Sequence, residues 1–181
     1  SLLAVTPVAA MPPPLPPIEG KDVGALQAEM ESGRMDEGLI ATLYLDRIAK
    51  LDDHGPKLDA VIATFPQTDI DAETTRLDAE RQAGKRRGPL HGIPILLKDN
   101  IETAGPLPTT AGSLALKDNV TGRDAPIVAR LRQAGAVILG KTNLSEWANI
   151  RSGNSTSGWS AVGGLTKNPH ALNRNACGSS S

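Results

Sequence analysis

In the first third of the chain the apolar residues recur with a helical period. They fall at Val23, Leu26 and Met30 within residues 22–33, then at Leu39, Ile40, Leu43, Tyr44, Ile48 and Leu51 within residues 36–53. This spacing predicts two amphipathic helices joined by a turn at Gly33, with Asp36 as N-cap of the second. Residues 59–65, with Ala60, Val61, Ile62 and Ala63 near their centre, predict a short strand. The charged stretch 69–85 predicts an exposed helix closed by Gly84, its charges forming a solvated face.

The pattern changes after residue 90. Residues 93–97 are a continuous apolar run with proline in second position, which suits the start of a buried strand in a mixed or parallel sheet. Residues 124–133 carry Ile127, Val128 and Leu131 at helical spacing and run into Gly135, and residues 136–139 are a second apolar run. Strand, helix and strand in that order predict an α/β core with right-handed crossovers. From Ser152 to Ser181 the chain is rich in Gly, Ser and Asn and shows no clear period. So long a loop in a compact domain is usually functional or disordered.

A length of 181 residues allows one domain with a real core. Nineteen basic against 20 acidic side chains, with one Phe, one Tyr and two Trp, provide neither the charge nor the stacking platforms of a nucleic-acid binder. A single cysteine, Cys177, excludes an internal disulfide, and His54, His91 and His170 lack metal-ligand spacing, so no metal site or redox chemistry is expected. No run is long enough to span a membrane. Residues 1–20 form an apolar, then proline-rich arm. It reads either as the remnant of an export signal, with Val8 and Ala10 set like the small residues before a cleavage site, or as a disordered or polyproline arm. Location is therefore open between cytoplasm and export.

Three pieces of the sequence carry candidate chemistry. Gly135 to Thr142 satisfies the phosphate-loop pattern letter for letter, but its four intervening residues, Ala136 to Leu139, are themselves the predicted strand. Their N–H groups belong to a sheet ladder and are unavailable to an anion, so nucleotide binding is rejected on context. Lys98 leaves the end of the first apolar strand; it is either an ordinary lysine reaching water or a proton acceptor, which only an unprotonated amine can be. For the second role Asp99 has to face away or bind backbone. Gly178-Ser179-Ser180-Ser181 is either a polar turn or a cluster of hydroxyls able to relay protons to Lys98. Cys177 with His91 or His170 as base is a rival catalyst, although a packed cysteine and a turn-stabilising histidine are the favoured readings.

Taken together, the segments Gly88 to Asn100, Thr109 to Ser113, Gly135 to Glu146 and Gly178 to Ser180 resemble, in order and spacing, the amidase signature family. Leu144 to Asn149, Ser157 to Ser160 and Cys177 to Ser181 are most similar to its bacterial peptide amidase branch, which shares a serine at 181 where many relatives have glycine. The resemblance covers about Gly20 to the end. It implies an amidase signature fold, a mixed β-sheet flanked by helices and incomplete on its C-terminal side, with residues 21–181 as the N-terminal part of one domain that continues beyond them. It also implies a Ser-Ser-Lys triad, in which Lys98 accepts a proton from Ser179, held in a cis peptide bond, and Ser179 activates a nucleophilic serine. Ser180 is the neighbouring polar residue and takes the role of Ser179 if the register slips by one. Nucleophile and oxyanion loop lie downstream of Ser181, so this chain alone is expected to be inactive. Trp147, Asn149 and Trp159 line the acyl pocket or pack the loop. The implied reaction is hydrolysis of a carboxamide, first of all a C-terminal peptide amide, through an acyl-enzyme and without cofactor. Aryl or fatty acylamides and an amidotransferase A-type subunit are the alternatives. The implied partners are the small amide substrate and the C-terminal remainder of the same enzyme.

Overall fold

A computed structural model describes residues 17–180 of the chain. Helix α1 (Val23–Glu31) begins at Asp22, whose side chain accepts from Ala25 N at 2.8 Å, and α2 (Glu37–Ile48) begins at Asp36, whose carboxylate accepts from Leu39 N at 2.6 Å. Each cap satisfies a backbone donor that the first helical turn leaves without a partner. The second helix was predicted to run to Asp53, but the chain widens into a π-helical turn, Ala49–Asp53. The cause is Asp52: its buried carboxylate accepts from Ala60 N at 2.7 Å and Val61 N at 2.9 Å, which stops the helix and launches the next strand. Burial raises the pKa of this carboxyl above its ordinary value.

Strand β1 (Val61–Thr64) is shorter than predicted because Asp59, at φ 53°, still belongs to the turn. Helix α3 (Gln67–Gln82) carries its charges outward, as in the Glu73–Arg76–Glu80 ion pairs, and buries Ile70, Thr74 and Leu77 as a narrow stripe. Arg81, four residues after Leu77, extends that stripe and corrects the picture of a wholly solvated polar face. Its Nε donates to the fully buried Glu37 Oε1 at 2.6 Å, and its Nη2 donates to Gln27 Oε1 and to the His91 carbonyl, both at 3.0 Å. Strand β2 (Pro94–Lys98), helix α4 (Pro126–Gln133) and strand β3 (Val137–Thr142) then complete the predicted strand, helix and strand.

The sheet has the order β1-β3-β2, with β2 parallel and β1 antiparallel to the central β3, so it is mixed. Val137 to Lys141 of β3 are all buried. The main core joins Ala41, Phe65, Leu77, Leu97, Val128 and the apolar part of β3. A second cluster joins α1, α2 and Ile93 to Ile18, so the described end of the segment read as an arm already packs. The remainder of that arm, with the residues read as an export signal, lies outside the described residues.

The tract from Ser152 onward is more structured than its lack of period suggested. It contains two small antiparallel ladders, β4 (Trp159–Ser160) with β5 (Gly164–Leu165) and β6 (Lys167–Asn168) with β7 (Ala171–Asn175). Three of these four strands are two residues long, too short to leave a periodic signature. The buried Asn143 supplies the order instead: its Nδ2 reaches Thr166 Oγ1 at 3.0 Å and Gly164 O at 3.1 Å, and its Oδ1 accepts from Ser160 Oγ at 2.7 Å.

Candidate active site

Parallel pairing sets Lys98, the last residue of β2, opposite Thr142, the last residue of β3. Both strands therefore deliver their next residues to one end of the sheet, the end at which open α/β proteins commonly build their sites. Lys98 Nζ donates to Ser180 Oγ at 2.9 Å and lies 3.4 Å from Ser179 Oγ, across more than 80 positions of sequence. Asp99 turns away from Lys98, as expected. It is fully buried; its Oδ2 accepts from Thr110 N at 3.2 Å and from the Thr110 hydroxyl, and its Oδ1 is 3.8 Å from Lys141 Nζ. Burial pushes the Asp99 carboxyl up and the Lys141 amine down. The negative charge next to Lys98 in sequence thus has its counter-charge inside the protein.

The two hydroxyls are presented by a turn at Cys177 and Gly178, both left-handed at φ 62° and 78°. Among the described residues no peptide bond is cis, so Ser179 is joined through a trans bond, contrary to the cis serine implied by the family resemblance. Trans is the intrinsic preference of a non-proline bond by roughly 3 to 4 kcal/mol, and here both hydroxyls reach Lys98 without a cis bond. Beneath the turn lies Ser145, which sequence reading did not single out. It is fully buried, its Oγ donates to the Gly178 carbonyl at 2.8 Å, and it accepts from Gly158 N at 2.8 Å. Its sequence signal is membership of the motif segments Gly135 to Glu146 and Leu144 to Asn149.

The other candidates separate from this pair. Trp147, Asn149 and Trp159 line an open cavity of about 320 Å3, and Trp147 also borders one of about 370 Å3 lined by Asn100, Leu116 and Leu144. Neither is lined by Lys98, Ser179 or Ser180. Trp147, Ala148 and Asn149 form a left-handed turn at φ 49°, 54° and 65°, and Asn149 Nδ2 donates to Ser157 Oγ at 3.3 Å within the loop. Cys177 is exposed, which overturns the expectation that it packs in the interior; it sits in the left-handed turn before the serines. His91 does stabilise a turn: fully buried, with Nε2 2.9 Å from the Leu77 carbonyl and Nδ1 accepting from Arg87 N at 3.3 Å. His170 is exposed. Neither ring is hydrogen-bonded to the thiol. Cys177→Ala in the full-length protein is accordingly expected to leave turnover within about twofold of the parent, as the loss of an exposed side chain generally does; ammonia release from a peptide amide checks it.

The phosphate-loop letters describe the interior of β3. Lys141 is fully buried and donates to the Ile101 carbonyl at 2.6 Å and to Thr109 Oγ1 at 3.0 Å, leaving it no access to a nucleotide. Gly140 serves strand packing, since a Cβ there would stand 2.2 Å from the Ala63 carbonyl oxygen. Among the described residues no helix is long and apolar enough to cross a membrane.

In this mixed α/β core a strand-end lysine meets two adjacent serine hydroxyls. The amidase family matches residues 40–181, and the chain belongs to that family. Its fold is similar to the corresponding part of the native peptide amidase from Stenotrophomonas maltophilia, with a TM-score of 0.85 and 54% sequence identity over 92% of this chain and 33% of that one. A probable amidase of Arabidopsis thaliana is 44% identical over 164 residues, 91% of this chain and 31% of the relative. The A-type subunit of a glutamyl-tRNA(Gln) amidotransferase from Symbiobacterium thermophilum is 42% identical over 151 residues, 83% of this chain and 29% of the relative. The chain thus spans about a third of the length of the proteins it matches.

Proposed function

We propose that the full-length protein hydrolyses carboxamides, C-terminal peptide amides first among them, and that residues 21–181 supply the proton-accepting half of its site. The observation that carries this reading is the approach of Lys98 Nζ to Ser179 Oγ and Ser180 Oγ. In the proposed reaction a serine contributed by the remainder of the protein attacks the amide carbon. Its proton passes to Ser179, and the proton of Ser179 passes to Lys98. The C–N bond then breaks, the relay returns a proton to the departing nitrogen, and ammonia or an amine leaves an acyl ester on the serine. Water, deprotonated along the same route, attacks that ester and releases the carboxylic acid. No step calls for a metal or organic cofactor. Asp99 supports the reading by engaging Thr110 and Lys141, which keeps a carboxylate off the Lys98 amine. Ser180 serves as the neighbouring polar group, and Trp147 and Asn149 are proposed to border the acyl side of the substrate.

Peptide amides are preferred over aryl or fatty acylamides and over the amidotransferase role because the peptide amidase of Stenotrophomonas maltophilia shares 54% of aligned residues, against 42% for the amidotransferase relative. The test is a substrate panel on the full-length protein: a C-terminal peptide amide, the corresponding peptide acid, an acyl anilide and glutamine. Ammonia release from the peptide amide with conversion to the acid is expected. Turnover of the anilide with none of the peptide amide would move the assignment to the aryl acylamidases, and glutamine turnover to the amidotransferases.

A further inference from the structure

Ser145 lies three residues beyond the end of β3, as Lys98 lies at the end of the parallel β2, so both stand at the same edge of the sheet. Its hydroxyl joins two segments from different parts of the chain, accepting from Gly158 N and donating to the Gly178 carbonyl, each at 2.8 Å. A serine hydroxyl has a single proton. The oxygen accepts from Gly158 N, and the hydroxyl donates to the Gly178 carbonyl. The Gly178 oxygen and the Ser179 nitrogen share one rigid peptide plane. Holding that oxygen therefore sets the direction in which the Ser179 Cα, and the hydroxyls that follow it, leave the turn. The turn itself is open to solvent, with Cys177, Gly178 and Ser180 all exposed, whereas Ser145 is fully buried and fixed from below.

We propose that Ser145 is a positioning residue of the amidase site, orienting the Gly178–Ser179 peptide so that the Ser179 and Ser180 hydroxyls meet Lys98. The inference rests on the serine–lysine reading of that site. Ser145 acts through the plane of one peptide, where a displacement of about 1 Å can cost on the order of 100-fold in rate.

A double-mutant cycle in the full-length protein tests it. Ser145→Ala is expected to lower kcat by about 100-fold with KM little changed and the melting temperature near that of the parent. The same change made in a Ser179→Ala background is expected to lower kcat no further, because the hydroxyl that relays the proton to Lys98 is already gone. A parent-like kcat in Ser145→Ala, or an equal loss in both backgrounds, overturns the inference and leaves the serine–lysine reading standing. Full activity in Ser179→Ala and Ser180→Ala overturns that reading and the inference with it. Should Ser145→Ala fail to fold, Ser145→Cys keeps the volume with a weaker donor. A lowered kcat at the parent melting temperature then supports the proposal, and a parent-like kcat overturns it.

Discussion

Lys98→Ala in the full-length protein is expected to lower carboxamide turnover by about 10³-fold, within the range by which a positioned general base accelerates proton transfer. Alanine removes the amine that stands 2.9 Å from Ser180 Oγ and 3.4 Å from Ser179 Oγ, while the strand that carries it keeps its backbone pairing with β3. The loss is expected in kcat with a smaller change in KM, because in the proposed relay the amine takes a proton as the nucleophile attacks and makes no contact needed to hold the ground-state amide. Ser179→Ala is expected to fall as far and to add little to Lys98→Ala, since members of one relay fail as a unit. Ser180→Ala is expected to be milder despite its shorter distance, as hydrogen bonds at an unliganded site commonly realign when the substrate binds. Stopped assays for ammonia on the four proteins check this. If Ser180→Ala is the deep loss and Ser179→Ala the mild one, the relay runs through Ser180, in line with the shorter contact. Parent-like turnover in Lys98→Ala would remove the lysine from the chemistry altogether.

How far such a site can be read from sequence depends on whether its parts are local. Lys98 was legible because it ends an apolar strand, and Ser179 because a glycine precedes a run of hydroxyls. Family resemblance then joined two segments more than 80 residues apart. The rejection of the phosphate-loop pattern was also legible, since Ala136 to Leu139 cannot be an open anion-binding turn and a buried strand at once; the structure makes Val137 to Leu139 part of β3. What escaped was tertiary. Ser145 looks like any serine until Gly158 and Gly178, 13 and 33 residues away, converge on its hydroxyl. Arg81 looks like one more charge on a solvated helix until Glu37 appears beneath it. Cys177 was expected in the interior because small thiols are commonly buried, and it is exposed in a left-handed turn. The tract after Ser152 read as a loop because its order resides in the side chain of Asn143, outside any periodicity of its own.

The second large effect is expected at a lysine that does no chemistry. Lys141→Ala in the full-length protein should destabilise the fold by about 3 to 5 kcal/mol, the range for removing one partner of a buried ion pair. Lys141 and Asp99 are both fully buried, 3.8 Å apart between Nζ and Oδ1, which is ion-pair contact without a hydrogen bond. The Asp99 Oδ1 atom has no hydrogen-bond partner among the described residues, so the ammonium is the counter-charge on that side. Removing it strands a carboxylate in the interior and takes the donor from the Ile101 carbonyl and Thr109 Oγ1. The shifts already present in the intact pair, Asp99 up and Lys141 down, both with burial as the first cause, show that desolvation is expensive for each charge even when paired. Neutralising both partners should therefore cost less than neutralising one. Lys141→Met with Asp99→Asn retains the length of the first side chain and an acceptor for Thr110 N on the second, and it is expected to recover most of the loss. Denaturant melts of the single and double variants measure the coupling; equal losses in Lys141→Met and in the double variant would show that the hydrogen bonds to the Ile101 carbonyl and Thr109 Oγ1, and not the charge, are what this site requires. Because Asp99 adjoins Lys98, the single variant is also expected to lose turnover beyond its unfolded fraction, and the double variant to regain it as the strand end is fixed again.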